Sequence, residues 1–182
     1  MTKPATTVPV PDRLLHLKRD PHGYPIPWIA FVGSEGQAHF AINDSSKLTD
    51  VLNNDLCGIC GQKLFVPRWF VGGARAIFEE HGGYLDPPMH HECATYALRV
   101  CPYLSASDYI GRAQTIIRPS LFVCAQALRQ TKTALGHFVP MKPFYRIEYW
   151  RYGELLPQQE GARLVREALA NPLPERQPPP LL

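Results

Sequence analysis

The chain lacks any run of 18 apolar residues, which excludes a membrane-spanning helix. It also lacks a continuous apolar segment at its start. M-T-K-P-A-T-T-V-P-V-P is broken by Pro4, Pro9 and Pro11, so no secretory signal is expected. The expected setting is cytoplasmic, where thiols stay reduced. Five cysteines are an odd number and make a poor disulfide framework; metal ligation of some of them is the better expectation. Charge is somewhat scarce, at 19% of residues. No Gly-rich phosphate loop, G-x-S-x-G elbow or H-E-x-x-H helix occurs, so the common signatures of nucleotide, acyl and zinc-protease chemistry are missing. No internal repeat is found.

What is present is enough for one domain with a real core: 182 residues, 45% of them apolar. The 19 prolines cluster toward the two ends. The expected organisation is an extended arm over 1–12, a single zinc-stabilised domain over 13–170 and a Pro-rich tail over 171–182. Net charge is +3 but unevenly spread. Residues 99–151 carry eight Lys or Arg against only Asp108 and Glu148, with Tyr, Phe and Trp interleaved. Such a segment can be a nucleic-acid surface or simply a well-solvated basic face.

Along the chain, Asp12–Arg19 could form one helical turn or an extended lead-in. Trp28–Val32 and Gln37–Ile42, separated by Gly33-Ser34-Glu35-Gly36, predict a β-hairpin. His39 in its second strand reads as a packed or surface residue. Asp44-Ser45-Ser46 offers an N-cap for a helix over roughly 46–54. Residues 62–70 and 76–78 read as strands, with Gly72-Gly73 and Gly82-Gly83 as breaks. Glu79-Glu80-His81 reads as a polar hairpin tip rather than an acid–base cluster.

Helical periodicity begins after Pro87-Pro88 and must stop near Cys101, before Pro102. Asp108–Pro119 is ambiguous, and 121–135 reads as a long strand beginning at Leu121. Phe144–Tyr152 alternates as a strand, and Gly161–Ala170 is a short amphipathic helix.

The strongest chemical signal is L-C-G-I-C-G followed, about thirty residues on, by P-P-M-H-H-E-C. Two cysteines three positions apart can reach one tetrahedral metal from a tight turn, and the following glycine permits that turn. His90 and Cys93 differ by about 60° around a helix and face one point, whereas His91 and Cys93 differ by about 160°. The expected ligands are therefore Cys57, Cys60, His90 and Cys93, with Zn2+ as a structural ion. Knuckle, hairpin, then helix with ligands in its first turn is the order of a treble-clef site.

Cys101 lies roughly 12 Å farther along the same helix and reads as a packed thiol, as does Cys124. A redox dithiol is the rival for C-G-I-C. It would open a helix after a buried strand, and this motif leads into G-Q-K instead. An HNH-type nuclease would need an Asp-His before the hairpin, which is missing.

These residues resemble a group of uncharacterised bacteriophage and bacterial proteins. The likeness lies in C-x-x-C-G, F-V-G-G, P-P-x-H-x-x-C and C-P-[FY]-L over roughly residues 56–104, and more loosely at P-I-P-W and W-R-Y-G. The resemblance implies the same four ligands and a phage or mobile-element origin. It implies no activity.

The fold expected is α+β: a treble-clef-like zinc centre between an N-terminal hairpin and C-terminal antiparallel strands with a closing helix. The first functional expectation is a non-enzymatic, phage-type protein that binds nucleic acid through Arg112, Arg118, Arg129, Lys132, Arg146 and Arg151. The alternative is a protein-interaction module that binds or inhibits a host protein through the Pro-rich ends or an exposed aromatic edge strand. An enzyme with an unrecognised site is the lesser alternative.

Overall fold

The computed structural model of the chain describes residues 7–80, 82–84, 86–105, 121–132 and 138–171. Within these the fold is α+β with three antiparallel sheets. A 3-10 turn, Asp12–Leu14, lies in the lead-in and buries Leu14. The expected hairpin forms from β1 (Ala30–Val32) and β2 (Ala38–Asn43). Helix α1 (Ser45–Asn54) follows directly. The Asp44 carboxylate caps it by accepting from the Ser46 and Lys47 amides at 2.9 and 3.3 Å, which satisfies two of the four free N–H groups of its first turn.

The central sheet runs β3 (Arg68–Gly73), β4 (Phe122–Ala127), β7 (Arg146–Arg151), β8 (Glu154–Leu155) in spatial order. Side chains alternate across it. Phe122 and Cys124 point into one core with Trp69 and Trp150, and Val123, Ala125 and Ala127 point into a second with Phe70 and Tyr149. Both faces of β4 are therefore buried, which explains why its sequence shows an unbroken apolar run instead of alternation. Helix α3 (His91–Val100) and the cysteine cluster cover the first face. Helices α2 (Ala74–Phe78) and α5 (Gln158–Ala170), with β6 (Phe138–Pro140), cover the second. Strand β5 (Gln130–Lys132) pairs with β6, and α4 (Pro102–Ser105) is one turn after α3.

Several expectations need correction. Ala76–Phe78 is helical, part of α2, because Ala74 and Ile77 turn inward onto the second core. Gly72-Gly73 is no break: it completes β3, where Tyr84 lies so close that a Cβ on Gly72 would stand 2.3 Å from its ring. Residues 62–67 are outside any strand except for the Leu56–Lys63 bridge. The long strand expected from Leu121 breaks at Leu128-Arg129 into β4 and β5, because β4 pairs with β3 and β7 while β5 pairs with β6. Helix α5 starts three residues earlier than expected, after Pro157. The ambiguous 108–119 stretch, His81, the first half of the arm and nearly all of the Pro-rich tail lie outside the described residues.

One glycine in α5 holds that helix against the sheet. Gly161 is buried, and a Cβ there would lie 2.2 Å from Tyr149 Cγ and Cδ2. Alanine ordinarily favours a helix by about 1 kcal/mol over glycine. Here overpacking reverses the sign, and Gly161→Ala is expected to cost about 1–3 kcal/mol net. Urea denaturation would show the midpoint falling at unchanged slope. A rise in the midpoint would mean that the helix is not seated on Tyr149.

Candidate metal centre

The knuckle is built from backbone hydrogen bonds. Gly61 N–H donates to the Cys57 carbonyl at 2.8 Å, and Cys57 N–H to Gln62 at 2.8 Å. Gly61 has φ of 71°, a left-handed conformation that glycine adopts without strain. The indole of Trp28 sits where its Cβ would be, at 2.6 Å. The entry to the hairpin also rests on the knuckle: Trp28 and Ile29 N–H groups donate to Ile59 and Gly58.

The second pair of donors comes from the start of α3. Trp69 and Met89 exchange both backbone hydrogen bonds, at 3.1 and 2.9 Å. This single antiparallel bridge is what remains of the expected treble-clef hairpin. It sets His90 at the N-cap of α3 and Cys93 in the first turn, as the helical spacing required.

Cys57 Sγ, Cys60 Sγ, a ring nitrogen of His90 and Cys93 Sγ all lie within 4.8 Å of one another, close enough to hold a metal ion. His90 Nδ1 is 3.4 Å from Cys60 Sγ. Bonds of about 2.3 Å to sulfur and 2.0–2.1 Å to nitrogen, at tetrahedral angles, imply a ligand–ligand edge of about 3.5 Å. His90 Nε2 lies 3.1 Å from the Lys63 carbonyl. A carbonyl only accepts, so Nε2 carries the proton and Nδ1 turns its lone pair toward the thiols. The three cysteines are buried, and none is in a disulfide.

The thiols share charge unequally. Burial opposes ionisation of Cys57, but hydrogen bonds from Cys60 and Cys93 outweigh it and hold its thiol well below the ordinary range. Donation to Cys57 is the main cause that pushes Cys60 up to about 11. Donation to Cys57 and then to Cys60, followed by burial, pushes Cys93 up as well. Without a cation the cluster stabilises one thiolate at the expense of the others; a divalent ion would stabilise all three.

Cys101 is outside this cluster, half-buried at the end of α3. Cys124 is buried on the sheet, and burial is the first cause of its strongly raised thiol pKa.

The sequence reading missed the role of the second histidine. His91 turns away from the thiols, and its Nε2 lies 3.0 and 3.1 Å from the two oxygens of Glu148. Glu148 is 4% exposed and is the one buried charged residue among those described. Its carboxylate also accepts from Arg146 Nη2 at 3.0 Å and Trp150 Nε1 at 3.3 Å. The His91 ring packs on Trp69 with centroids 4.2 Å apart. The network ties the start of α3, and so the candidate ligands His90 and Cys93 beside it, to β7. A signal was available: Glu148 lies two residues before Trp150 in an alternating strand, so it shares Trp150's inward face.

The six cationic residues expected to bind nucleic acid divide. Arg112 and Arg118 lie outside the described residues. Arg129, two residues after β4, and Arg146, the first residue of β7, lie at the same end of the central sheet, since Gln126 pairs with Arg146. Lys132 ends β5. Arg151 closes β7 at the other end, about 17 Å away, half-buried with its guanidinium 5.0 Å from the Tyr152 ring. The sequence reading overlooked Lys142, which is exposed between β6 and β7, at the Arg129 end.

Apart from these, a shallow cleft of about 340 Å³ lies between the arm and the β7–β8 turn, with Arg99 and Glu154 the titratable groups among the described residues that line it. No helix among the described residues is long and apolar enough to cross a membrane.

Comparison with protein-family models, curated proteins and solved structures finds no match for the chain.

Proposed function

We propose that the chain is a zinc-stabilised, non-enzymatic, phage-type nucleic-acid-binding protein. Three thiolates and one imidazole suit zinc, and four protein donors leave no coordination position for water or substrate. The ion then holds the fold together, and the work falls to the surfaces it supports.

The carrying observation is the cluster of exposed cations at one end of the central sheet. Arg129, Lys142 and Arg146 gather there. The acids nearby are already engaged: Asp55 by Arg68 at 2.7 Å, and Glu148 by His91, Arg146 and Trp150. A net positive end of this kind attracts phosphates, and such binding weakens steeply with salt.

Fluorescence anisotropy with a labelled 20-nucleotide probe between 20 and 300 mM salt tests the reading. The Arg129→Ala/Lys142→Ala/Arg146→Ala variant is expected to weaken binding and to lower the steepness of the log–log salt plot by about two to three. Undetectable binding of the unaltered protein at low salt would remove the reading.

A second reading, docking to a host protein, draws support from the β1–β2 hairpin. It leaves Phe31, Phe40 and Ile42 at 41%, 47% and 52% exposure, on a two-stranded sheet whose outer edges no described strand covers. Edges of that kind are suited to strand addition. Nuclease-resistant binding to a host protein, lost in Phe40→Ser and Ile42→Ser variants, would favour it.

A further inference from the structure

We infer that the basic end of the central sheet takes single-stranded nucleic acid, with unpaired bases stacked on Phe65 and Tyr145. The inference rests on the nucleic-acid reading above and specifies its ligand. Phe65 is 73% exposed and Tyr145 65% exposed, more than any other large apolar side chain described. Phe65 precedes β3 by three residues and Tyr145 immediately precedes β7. Both therefore stand at the end of the sheet where Arg129, Lys142 and Arg146 gather. Met141, 45% exposed, is there too.

Alternation along β7 places Arg146 on the face of Glu148 and Trp150, and Tyr145 on the face of Ile147 and Tyr149. The ring and the cation thus flank the rim from two sides, and neither buries the other. Only β4 separates β3 from β7, so the starts of the two strands are about 10 Å apart, with Tyr145 directly before one and Phe65 three residues before the other.

Three ligand classes make different demands on such a rim. A duplex offers phosphates but keeps its bases stacked inside, so it would leave both rings against a charged backbone. An apolar protein surface would cover the rings and leave Arg129 and Lys142 without an anionic partner, Arg146 being held by Glu148. A single strand supplies phosphates for the cations and base faces for the rings together, the combination that stacking platforms use.

The backbone at Tyr145 and Met141 is already fixed. Tyr145 N–H donates to Gln126 and Met141 N–H to Arg129, each at 2.9 Å. Little ordering is left to oppose binding.

The test uses the full chain, loaded with zinc, and three fluorescein-labelled probes at 50 mM salt: a 20-nucleotide oligothymidine, a mixed single strand of the same length, and that strand annealed to its complement. The single strands are expected to bind at least tenfold more tightly than the duplex. Tyr145→Ala and Phe65→Ala are each expected to weaken single-strand binding about 5- to 100-fold, with duplex affinity unchanged within twofold. Both side chains are exposed, so these variants should fold; unchanged thermal midpoints check this.

Equal affinity for both forms, or single-strand affinity indifferent to Tyr145→Ala and Phe65→Ala, overturns the single-strand inference. If both forms still lose affinity with Arg129→Ala/Lys142→Ala/Arg146→Ala, the broader reading survives. No binding to any probe overturns both. A concentration-dependent dimer in sedimentation that Phe65→Ser abolishes would assign the rim to a second copy of the chain, and would also overturn the inference.

Discussion

Cys93→Ser is expected to abolish stoichiometric zinc binding and, with it, the folded state. Metal binding in isolated zinc modules contributes about 10–16 kcal/mol at pH 7, comparable to or larger than the whole net stability of an ordinary domain, about 5–15 kcal/mol. Cys93 and Cys57 are fully buried and Cys60 is 1% exposed, all in the same core as Ala94, Leu98 and Trp69. Loss of the ion would leave up to three thiols in a space shaped for a cation. The expected result is insoluble or unfolded protein, seen as lost thermal cooperativity and less than one-tenth of an equivalent of zinc by elemental analysis. Cys57→Ser should behave alike. Cys101→Ser, outside the cluster, should retain full zinc.

Acid should mimic these variants in a predictable direction. A zinc ion would bind three thiolates, whereas the metal-free cluster keeps protons on Cys60, pushed up to about 11, and on Cys93. Metal binding therefore releases protons, and the metal-bound state holds fewer of them. By linkage its stability falls as pH falls. Affinity should drop by up to about 100-fold per pH unit while two protons compete. A chromophoric chelator competed against the protein from pH 8 to pH 5 measures this. A Cys93→Ser protein that melts like the parent, or a purified parent without stoichiometric zinc, would remove the metal from the account of folding.

The Cys3His cluster was legible in the sequence because its logic is local. C-x-x-C fixes a knuckle, and His90 with Cys93 fixes one face of one helical turn, so spacing alone selected His90 over His91. The hairpin and the capped helix α1 were legible for the same reason: turn residues and Asp44 act within a few positions. What sequence could not carry was pairing across long separations. The 121–135 run breaks because β4 and β5 meet different partners, and no residue at Leu128-Arg129 marks the break as a turn would. Ala76–Phe78 looked like a strand because three residues cannot display a period. Composition located the basic segment, but only the register of β4 with β7 shows that Arg129 and Arg146 lie at one end of the sheet while Arg151 stands at the opposite end. His91 shows the same limit: its geometry excluded it as a ligand, but its partner lies 57 positions away.

That partner carries the second large expected effect. Glu148→Ala should cost about 2–4 kcal/mol, less than the 3–5 kcal/mol typical of breaking a fully buried ion pair. The discount follows from the partners. Arg146 is 61% exposed and His91 38% exposed at the side chain, so water can solvate both once the carboxylate is gone. Trp150 is 2% exposed, and its indole N–H would lose its acceptor inside the core, at the usual cost of an unsatisfied buried donor.

For a chain of this length the loss corresponds to a fall of about 5–15 °C in thermal midpoint. Glu148→Gln keeps the shape but turns an amide N–H₂ toward donors, so it should recover only part of the loss. A double-mutant cycle with His91→Ala separates the two contributions. A coupling of at least about 0.5 kcal/mol is expected, because the two side chains are in direct contact. Zinc content should stay near one equivalent in Glu148→Ala, since all four donors remain, while the dissociation rate of the ion rises as the start of α3 loses its tie to β7. A midpoint within 1 °C of the parent would mean that the carboxylate contributes nothing to holding α3 on the sheet. The metal and the Trp69–Met89 bridge alone would then account for the position of the helix.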